Sequence, residues 1–528
     1  MPAKPTNAQL AWHDTEIGMF VHFGLYVYQN PTAWRKDRDV SGFNPEKLDA
    51  AQWVEVAQSI GAKYLVFTAK HGDGFCLWQT DTTDFGLKST PWKNGEGDIV
   101  SELSSECKAV GMKLGIYLSP ADASFGINVG GRTENPERLQ RYAKVYRRQL
   151  TELLENYGDI FEVWFDGSCA IEVGDILQRL APDAMIFQSP QATLRWVGNE
   201  DGFAPYPSWN SVAAEDAHLG MATAAHGNPA GDRWLPLEVD TPIRHRRWMW
   251  QENDEESLKS LDELIEIYYR SVGHGSVLLL NSNPDPSGLI PEVDVRRAAE
   301  LGAEITKRFS NPVGRSRGGE GREHTVRLNT DVAVDHIVVM EDISRGERVR
   351  RYVLEGEQNG QWSEIARGSA IGHKKIDFFS PVTISAVRFR CLESAEPPAI
   401  KSLAAYSCGI IPSFDRDAVH IHNPFFVGTW GGNVGSAWTI LELDLNEVCD
   451  EAAQYSVELR PETGSAGIEV GEIDLCFDGE LAGGFVTPIS GGRWNINISG
   501  VEVDRRLRLE LRKTGKGSPS GRIFVRKT

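Results

Sequence analysis

The chain has 528 residues, which is too long for a single compact core and indicates two to four domains of roughly 100 to 200 residues each. Hydrophobic residues make up 41% and charged residues 24% of the chain, as in folded proteins and unlike disordered or fibrous ones. The formal net charge of −19 repels phosphate backbones and anionic membranes, so neither a nucleic acid nor a membrane is expected as a partner.

Targeting and cross-linking signals are weak. The opening stretch lacks an apolar core of signal-peptide length, and no run approaches the ~18 apolar residues of a membrane span. We therefore expect a cytoplasmic protein, although a secreted protein whose leader had been removed would look the same. The seven cysteines include no CxxC pair, so the sequence predicts neither a disulfide framework nor a zinc site.

Short apolar runs alternate with long amphipathic segments from the start of the chain to Pro312, as in βα units around a parallel sheet. No glycine-rich phosphate turn follows any of these runs. The pattern therefore favours an α/β fold of the irregular (β/α)8-like TIM barrel type, over residues 1–312, rather than a doubly wound sheet. The predicted strands are 17–24, 64–70, 113–119, 161–167, 185–190, 237–243 and 276–282.

Three helices between these strands have recognisable ends. The pair Asn44-Pro45 predicts the start of the first helix, which Gly61 should close. A second helix is predicted to open at Asn135-Pro136, and a third to run from about Asp254 to Val272. The segment 196–250 has weak helical periodicity, so we expect the barrel to be irregular there.

The pattern changes after Pro312 to short alternating segments separated by Gly, Asn, Asp and Ser turns. This texture is typical of β-sandwiches, and the remaining length suits two of them. We therefore predict one β-sandwich over residues 313–412 and a second over residues 413–528.

The reactive groups of a (β/α) barrel lie at the carboxyl ends of its strands. Asp166 ends the fourth predicted strand, where a carboxylate could attack a sugar carbon or simply cap a helix. His22 ends the first strand and His71 follows the second, where neutral imidazoles could bind sugar hydroxyls or be satisfied core residues. A metal site around His71 lacks a third clustered ligand and is disfavoured.

Glycoside hydrolysis needs two carboxyl groups in different environments, one to attack C1 and one to protonate the leaving oxygen. Glu200, in the segment RWVGNEDG, is one candidate for the second role. Glu238 and Asp240, in the sixth predicted strand, are its rivals. The spacing along the chain does not choose among them.

Six segments in order resemble the α-L-fucosidases of glycoside hydrolase family 29. They are GMFVHFGLY, FNPEKLDAAQWVEVAQSIGAKYLVFTAKHGDGFCLW, DIVSELSSECKAVGMKLGIYLSP, VWFDG, RWVGNEDG and SVLLLNSNPDPSGLIP. The resemblance is greatest to the subgroup that carries the RWVGNE segment. It implies a catalytic (β/α) barrel followed by β-sandwich domains.

The resemblance also implies a retaining hydrolase that works by double displacement. The family's nucleophile falls on Asp166 and the subgroup's acid/base on Glu200, while the sugar-binding histidines fall on His22 and His71. Further substrate-binding candidates are Tyr117 and Trp164 at pocket-lining positions, Trp34, Trp78 and Trp196 within or beside the motifs, and Arg244 in a basic cluster that could meet an anionic substrate. No metal or organic cofactor is implied; the expected partner is an oligosaccharide or glycoconjugate, and a homo-oligomer is left open.

Three positions depart from the family pattern. Ala33, Gly72 and Ala121 replace a glutamate, a histidine and a tryptophan that family members usually carry near the sugar. We therefore expect either an exo-acting α-L-fucosidase or a hydrolase of the same mechanism with a widened pocket, for a substituted fucose, galactose or arabinose. Two further alternatives are a non-catalytic carbohydrate-binding protein and a transglycosylase that uses the same residues.

Overall fold

The computed structural model describes residues 2–29, 39–214, 226–245, 247–412 and 414, and, by their backbone alone, the strands between 425 and 527. Eight parallel strands form one sheet, in the order β5 (Met185–Phe187), β4 (Ile160–Trp164), β3 (Lys113–Leu118), β2 (Tyr64–Lys70), β1 (Ile17–Val21), β10 (Val277–Asn281), β9 (Leu237–Pro242) and β6 (Arg195–Trp196). A parallel bridge between Phe187 and Leu194 brings its two edges together, so the sheet nearly closes into a barrel. The predicted TIM-like fold is thereby confirmed.

The strands of the first part of the chain are short, and most of their residues are buried. They are β1 Ile17–Val21, β2 Tyr64–Lys70, β3 Lys113–Leu118, β4 Ile160–Trp164, β5 Met185–Phe187, β6 Arg195–Trp196, β7 Ser211–Val212, β8 Arg233–Trp234, β9 Leu237–Pro242 and β10 Val277–Asn281. The strands β7 and β8 pair with each other outside the barrel. Seven of the eight barrel strands overlap the predicted runs, and β6 is the addition.

In the described part of the chain, seven α-helices accompany these strands: α1 Asn7–His13, α2 Ala50–Ile60, α3 Ile99–Val110, α4 Pro136–Asn156, α5 Gly174–Leu180, α6 Leu261–Arg270 and α7 Glu292–Phe309. The predicted start at Pro45 is wrong, because the Asp49 side chain accepts from the backbone N–H groups of Ala51 and Gln52 and starts α2 there. The predicted start at Asp254 is also early. Ser260 and Glu263 form a capping box that begins α6 at Leu261.

Other helix ends follow the prediction. Asn135 caps α4, with Pro136 as its first residue. Gly61 ends α2 with a φ of 93°, in the left-handed region that glycine adopts without strain. Within the described ranges, none of the helices has the length and apolar character needed to span a bilayer.

Apolar side chains pack against both faces of the barrel sheet. The outer shell packs the helices onto the strands, whereas the inner cluster fills the barrel and includes Phe20, Tyr64, Tyr117, Trp164 and Leu279. Helix α1 contributes Trp12 to the inner cluster, and the Trp12 indole donates to Glu162 Oε2 at 2.8 Å. The interior of the barrel is therefore a packed core.

The described residues after α7 are mostly antiparallel β-structure. Seven strands form one sheet: β11 Gly314–Ser316, β12 Gly319–Glu320, β13 Glu323–Glu341, β14 Val349–Gln358, β15 Gln361–Gly368, β16 Lys375–Ser394 and β17 Ala399–Tyr406. The next nine form sheets of five and four strands: β18 Phe425–Trp430, β19 Thr439–Asp444, β20 Gln454–Pro461, β21 Gly467–Phe477, β22 Glu480–Ala482, β23 Val486–Ile489, β24 Arg493–Asn497, β25 Arg505–Thr514 and β26 Gly521–Lys527.

Candidate active site

A cavity of about 230 Å³ lies at the carboxyl ends of the barrel strands, where the polar strand-end residues meet. Its lining is mostly aromatic, with three carboxyl groups. The lining residues are Phe20, His22, His71, Tyr117, Trp164, Asp166, Phe187, Gln188, Trp196, Glu200, Asp240, Trp248 and Met249. The cavity is smaller than the roughly 300 to 1,000 Å³ of pockets for drug-sized ligands, so it suits a single sugar residue.

Asp166 stands two residues beyond β4, at the mouth of the barrel. The Tyr117 hydroxyl donates to Asp166 Oδ2 at 3.2 Å, which orients the carboxylate from the neighbouring strand β3. The turn that follows is held by Gln188, whose Oε1 accepts from the backbone N–H of Gly167 at 2.8 Å. The Asp166 carboxylate therefore projects into the cavity from a fixed backbone.

His22 follows β1 and is buried beside the cavity. Its Nδ1 lies 2.8 Å from Asn281 Oδ1, and Asn281 Nδ2 donates to Trp248 O at 3.3 Å. An amide oxygen only accepts, so Nδ1 carries the hydrogen and Nε2 is an acceptor in the neutral ring. Burial, reinforced by the nearby His71, lowers the pKa of His22 to about 3. His22 is therefore a neutral hydrogen-bonding group.

His71 follows the last residue of β2, and its ring stacks on Tyr117 at 5.4 Å between centroids. Lys70, immediately before it, is fully buried, and its ammonium contacts Asp122 at 3.2 Å, Tyr142 at 2.8 Å and Gln149 at 2.9 Å. Asp122 belongs to the loop after β3. The buried ion pair thus ties the end of β2, next to His71, to the loop after β3.

Glu200 is exposed on the loop after β6, at the rim of the cavity. The Thr241 hydroxyl donates to the backbone carbonyl of Glu200 at 2.7 Å and so joins this loop to β9. Inside the loop, Asn199 donates to Phe203 O at 3.0 Å and accepts from the Asp201 N–H at 3.1 Å. The backbone that carries Glu200 is therefore anchored, while its side chain faces solvent.

The rival carboxyl groups Glu238 and Asp240 lie two residues apart on β9, at different depths in the barrel. Glu238 is fully buried below the cavity, where it accepts from the Trp164 indole at 2.9 Å and from the Tyr64 hydroxyl at 3.3 Å. Asp240 lines the cavity and accepts from the Trp196 indole. Burial raises the pKa of both groups well above the usual range. Only Asp240 of this pair can meet a ligand without rearrangement.

The structure brings seven predicted site residues together at the cavity: Asp166, Glu200, His22, His71, Tyr117, Trp164 and Trp196. Trp78 lies in the core, where its indole donates to Glu152 at 3.2 Å. Arg244 pairs with Asp294 through two hydrogen bonds of 3.0 and 2.7 Å. Trp78 and Arg244 therefore have structural partners and do not line the cavity. Trp34 lies outside the described residues.

Sequence reasoning missed Phe20, Phe187, Gln188, Trp248 and Met249 among the lining residues. Gln188 has a signal in retrospect, because it directly follows β5 at the same edge of the sheet as Asp166. Its φ of 50° is also uncommon for a residue other than glycine. Trp248 has none, because its approach to within 5.5 Å of the His22 ring depends on the path of an irregular loop.

Gly72 and Ala121, two of the three departures from the family pattern, face each other. A Cβ atom added to Gly72 would lie 3.7 Å from Ala121 Cβ and 3.8 Å from Ser119 Oγ, which is ordinary van der Waals contact. The fold thus has room for a methyl group at Gly72. Ala33 lies outside the described residues.

The sequence profile of the family described as α-L-fucosidase matches residues 28–307, more than half of the chain. The chain belongs to the α-L-fucosidase family. Among curated relatives, Alpha-L-fucosidase 1 of Arabidopsis thaliana is 31% identical over 76% of this chain and 87% of its own length. This α-L-fucosidase family member is a glycosidase, as the motifs predicted.

Solved structures agree with this assignment. A family 29 glycoside hydrolase from a rumen bacterium is 27% identical, with a TM-score of 0.69 over 98% of this chain and 100% of that one. A Ruminococcus gnavus family 29 fucosidase, solved with fucose, is 26% identical with a TM-score of 0.67 and covers 77% of this chain and 96% of its own. The first of these matches extends through the C-terminal sheets as well as the barrel.

Proposed function

We propose that this family member releases a terminal α-L-fucose from an oligosaccharide or glycoconjugate by a retaining double displacement. One observation carries the proposal: a single cavity, sized for one sugar residue, holds Asp166 and Glu200 together with the neutral His22. The fucose bound to the Ruminococcus gnavus relative supports fucose as the sugar.

Asp166 is the nucleophile in this proposal. Its carboxylate attacks C1 of the sugar while Glu200 gives a proton to the departing glycosidic oxygen, so that a sugar ester replaces the glycosidic bond. Glu200 then takes a proton from water, the water oxygen attacks C1, and Asp166 leaves as the free carboxylate. The second inversion restores the original configuration at C1.

The surrounding groups suit these two steps. The Tyr117 hydroxyl, 3.2 Å from Asp166 Oδ2, holds one carboxylate oxygen and leaves the other to attack. The exposed position of Glu200 gives it access to both the leaving group and the incoming water. His22 and His71 supply hydrogen-bonding groups for the sugar hydroxyls, and the wall of Tyr117, Trp164 and Phe187 covers its apolar face.

Hydrolysis of 4-nitrophenyl α-L-fucoside, followed by proton NMR of the first sugar released, tests this proposal. We expect turnover that yields α-L-fucose before it equilibrates in solution. Release of the β anomer would contradict the retaining mechanism. Tight binding of L-fucose without any turnover would instead support a carbohydrate-binding protein, and transfer of the sugar to an added acceptor would identify a transglycosylase.

The small residue Gly72, which directly follows the cavity residue His71, favours a second candidate substrate, a fucose-like sugar with an additional substituent. A panel of 4-nitrophenyl β-D-galactoside, α- and β-L-arabinosides and a ring-substituted fucoside tests it. Gly72→Ala is the matched control, because the added methyl group fits. If the substituent lies beside Gly72, Gly72→His should reduce turnover of the larger sugar more than turnover of the plain fucoside. Equal losses with the two substrates would contradict this second candidate.

A further inference from the structure

Three carboxyl groups form a column that runs from the cavity into the centre of the barrel. Asp240 is at the top and lines the cavity, Glu238 lies two residues earlier on the same strand, and Glu162 projects from β4. All three are buried, with 3% or less of their surface exposed. The proposed mechanism uses none of them.

The lower two members have partners inside the barrel. Glu238 accepts from Trp164 and Tyr64, and Glu162 accepts from Trp12. Burial raises the pKa of Glu162 to about 7, and that of Glu238 further, because two adjacent buried carboxylates repel each other. Burial therefore favours the protonated form of both carboxyl groups, which lie below the cavity.

Asp240 is about as buried as these two residues, but unlike them it lines the cavity. Its Oδ1 accepts from the Trp196 indole, so one oxygen is occupied by a wall residue. Glu238 on its own strand and Glu200 on the loop after β6 are acidic neighbours of Asp240, and a negative charge on either of them would raise the pKa of Asp240 further. Burial and these acidic neighbours favour the protonated carboxyl, which has an O–H donor.

We infer that Asp240 is a substrate-binding residue that donates a hydrogen bond from a neutral carboxyl group to one hydroxyl of the sugar. The inference rests on the proposed function, since it places the sugar in the same cavity. It gives the cavity a third carboxyl group with a role unlike those of Asp166 and Glu200, because it neither attacks C1 nor exchanges a proton with the leaving group.

Two substitutions separate a neutral donor from a charged acceptor. Asp240→Asn keeps the shape and the donor, so kcat/KM should stay within about fivefold of the parent and the alkaline limb of its pH profile should stay in place. Asp240→Ala removes the donor and frees the Trp196 indole, so kcat/KM should fall roughly tenfold to hundredfold, mainly through KM. An alkaline limb displaced to lower pH in Asp240→Asn would show that the parent carboxyl is charged and would overturn the inference.

Substrates that lack one hydroxyl make the test specific. With 2-, 3- and 4-deoxy analogues of 4-nitrophenyl α-L-fucoside, the loss caused by Asp240→Ala should disappear for one analogue and persist for the other two. The same loss with all three would overturn a hydroxyl contact. Circular dichroism and thermal unfolding of each variant identify losses due to misfolding. If Asp240→Ala misfolds, the affinity for L-fucose is compared between Asp166→Asn and the double variant Asp166→Asn/Asp240→Asn.

The outcomes distinguish this inference from the proposed function. A parent enzyme that turns over the fucoside while Asp240→Ala does so equally well overturns the inference and leaves the fucosidase proposal standing. A parent enzyme that neither binds L-fucose nor turns over the fucoside overturns both.

Discussion

Buried carboxyl groups occur both in the barrel mouth and at the contact between the barrel and the seven-stranded sheet. At the mouth, burial raises the pKa of Asp240 well above its usual range. At the contact, burial raises the pKa of Glu347 to about 7, and beside it in the sheet burial raises the pKa of Glu341 to about 8. A pKa perturbed by burial therefore does not by itself distinguish the active site from a structural contact.

The two regions differ in what the carboxyl groups face. Both oxygens of Glu347 accept from Asn210, at 2.9 and 2.7 Å, and Glu341 Oε1 accepts from the backbone N–H groups of Arg348 and Val349. These contacts hold protein to protein. Asp240, by contrast, borders a cavity together with Asp166 and Glu200. Open space next to the carboxyl group therefore distinguishes a site for chemistry from a structural contact.

The largest expected effect is on Asp166. Asp166→Asn removes the nucleophile and keeps the shape of the side chain, so kcat should fall by at least about 10³-fold while the thermal unfolding temperature stays unchanged. Asp175→Asn, on the exposed surface of α5, is the matched control and should retain full activity. Parent-like rates in Asp166→Asn would contradict the assignment.

Glu200 should follow. Glu200→Ala removes the acid/base, so kcat/KM should fall about 10²- to 10⁴-fold on natural glycosides and much less on activated aryl fucosides. Azide should restore part of the rate by attacking the sugar ester in place of the water that Glu200 would activate. Azide rescue seen in Glu238→Ala, and absent in Glu200→Ala, would transfer the role to the buried rival.

The smallest effect on activity is expected beside the barrel contact. The folded pKa of Glu341 lies above its ordinary unfolded value, so its contribution to stability is complete below about pH 4.5 and is lost as the pH rises toward 8. Glu341→Gln stays neutral and should gain a few kcal/mol of unfolding free energy relative to the parent between pH 5 and 8.

Thermal unfolding of Glu341→Gln from pH 5 to 8, in parallel with fucoside hydrolysis, checks this expectation. Glu320→Gln changes an exposed glutamate of the same sheet and should leave the pH dependence of stability as it is in the parent. A large loss of turnover in Glu341→Gln would remove the distinction drawn between the two regions.

The barrel was predictable because its strands are continuous apolar runs with β-branched and aromatic residues, such as Tyr64–Lys70 and Val277–Asn281. The strand β6 has only two residues, Arg195 and Trp196, and is defined by its pairing with β9. No local pattern marks so short a strand. The start of α2 was misplaced because both Asn44-Pro45 and Asp49 resemble helix starts, and only the side-chain contacts of Asp49 decide between them.

The site was predictable to the extent that its residues follow strands. Asp166 and His22 lie near the ends of predicted strands and His71 directly follows one, and the barrel fold brings such positions together. Whether Glu238 or Asp240 reaches the cavity depends on the depth of each side chain in the barrel. Their two-residue spacing along β9 does not reveal that depth. The approach of Gly72 to Ala121 likewise involves two loops distant in sequence, so only the tertiary structure reveals it.

Trapping the sugar ester tests the central claim most directly. A 2-deoxy-2-fluoro-L-fucosyl fluoride slows both steps through its fluorine at C2, and its good leaving group lets the ester accumulate. Peptide mapping by mass spectrometry should then find one 2-fluorofucosyl group on Asp166, with activity recovering as the ester hydrolyses. A label on Asp240 or Glu200, or no label on an enzyme that turns over fucosides, would contradict the account.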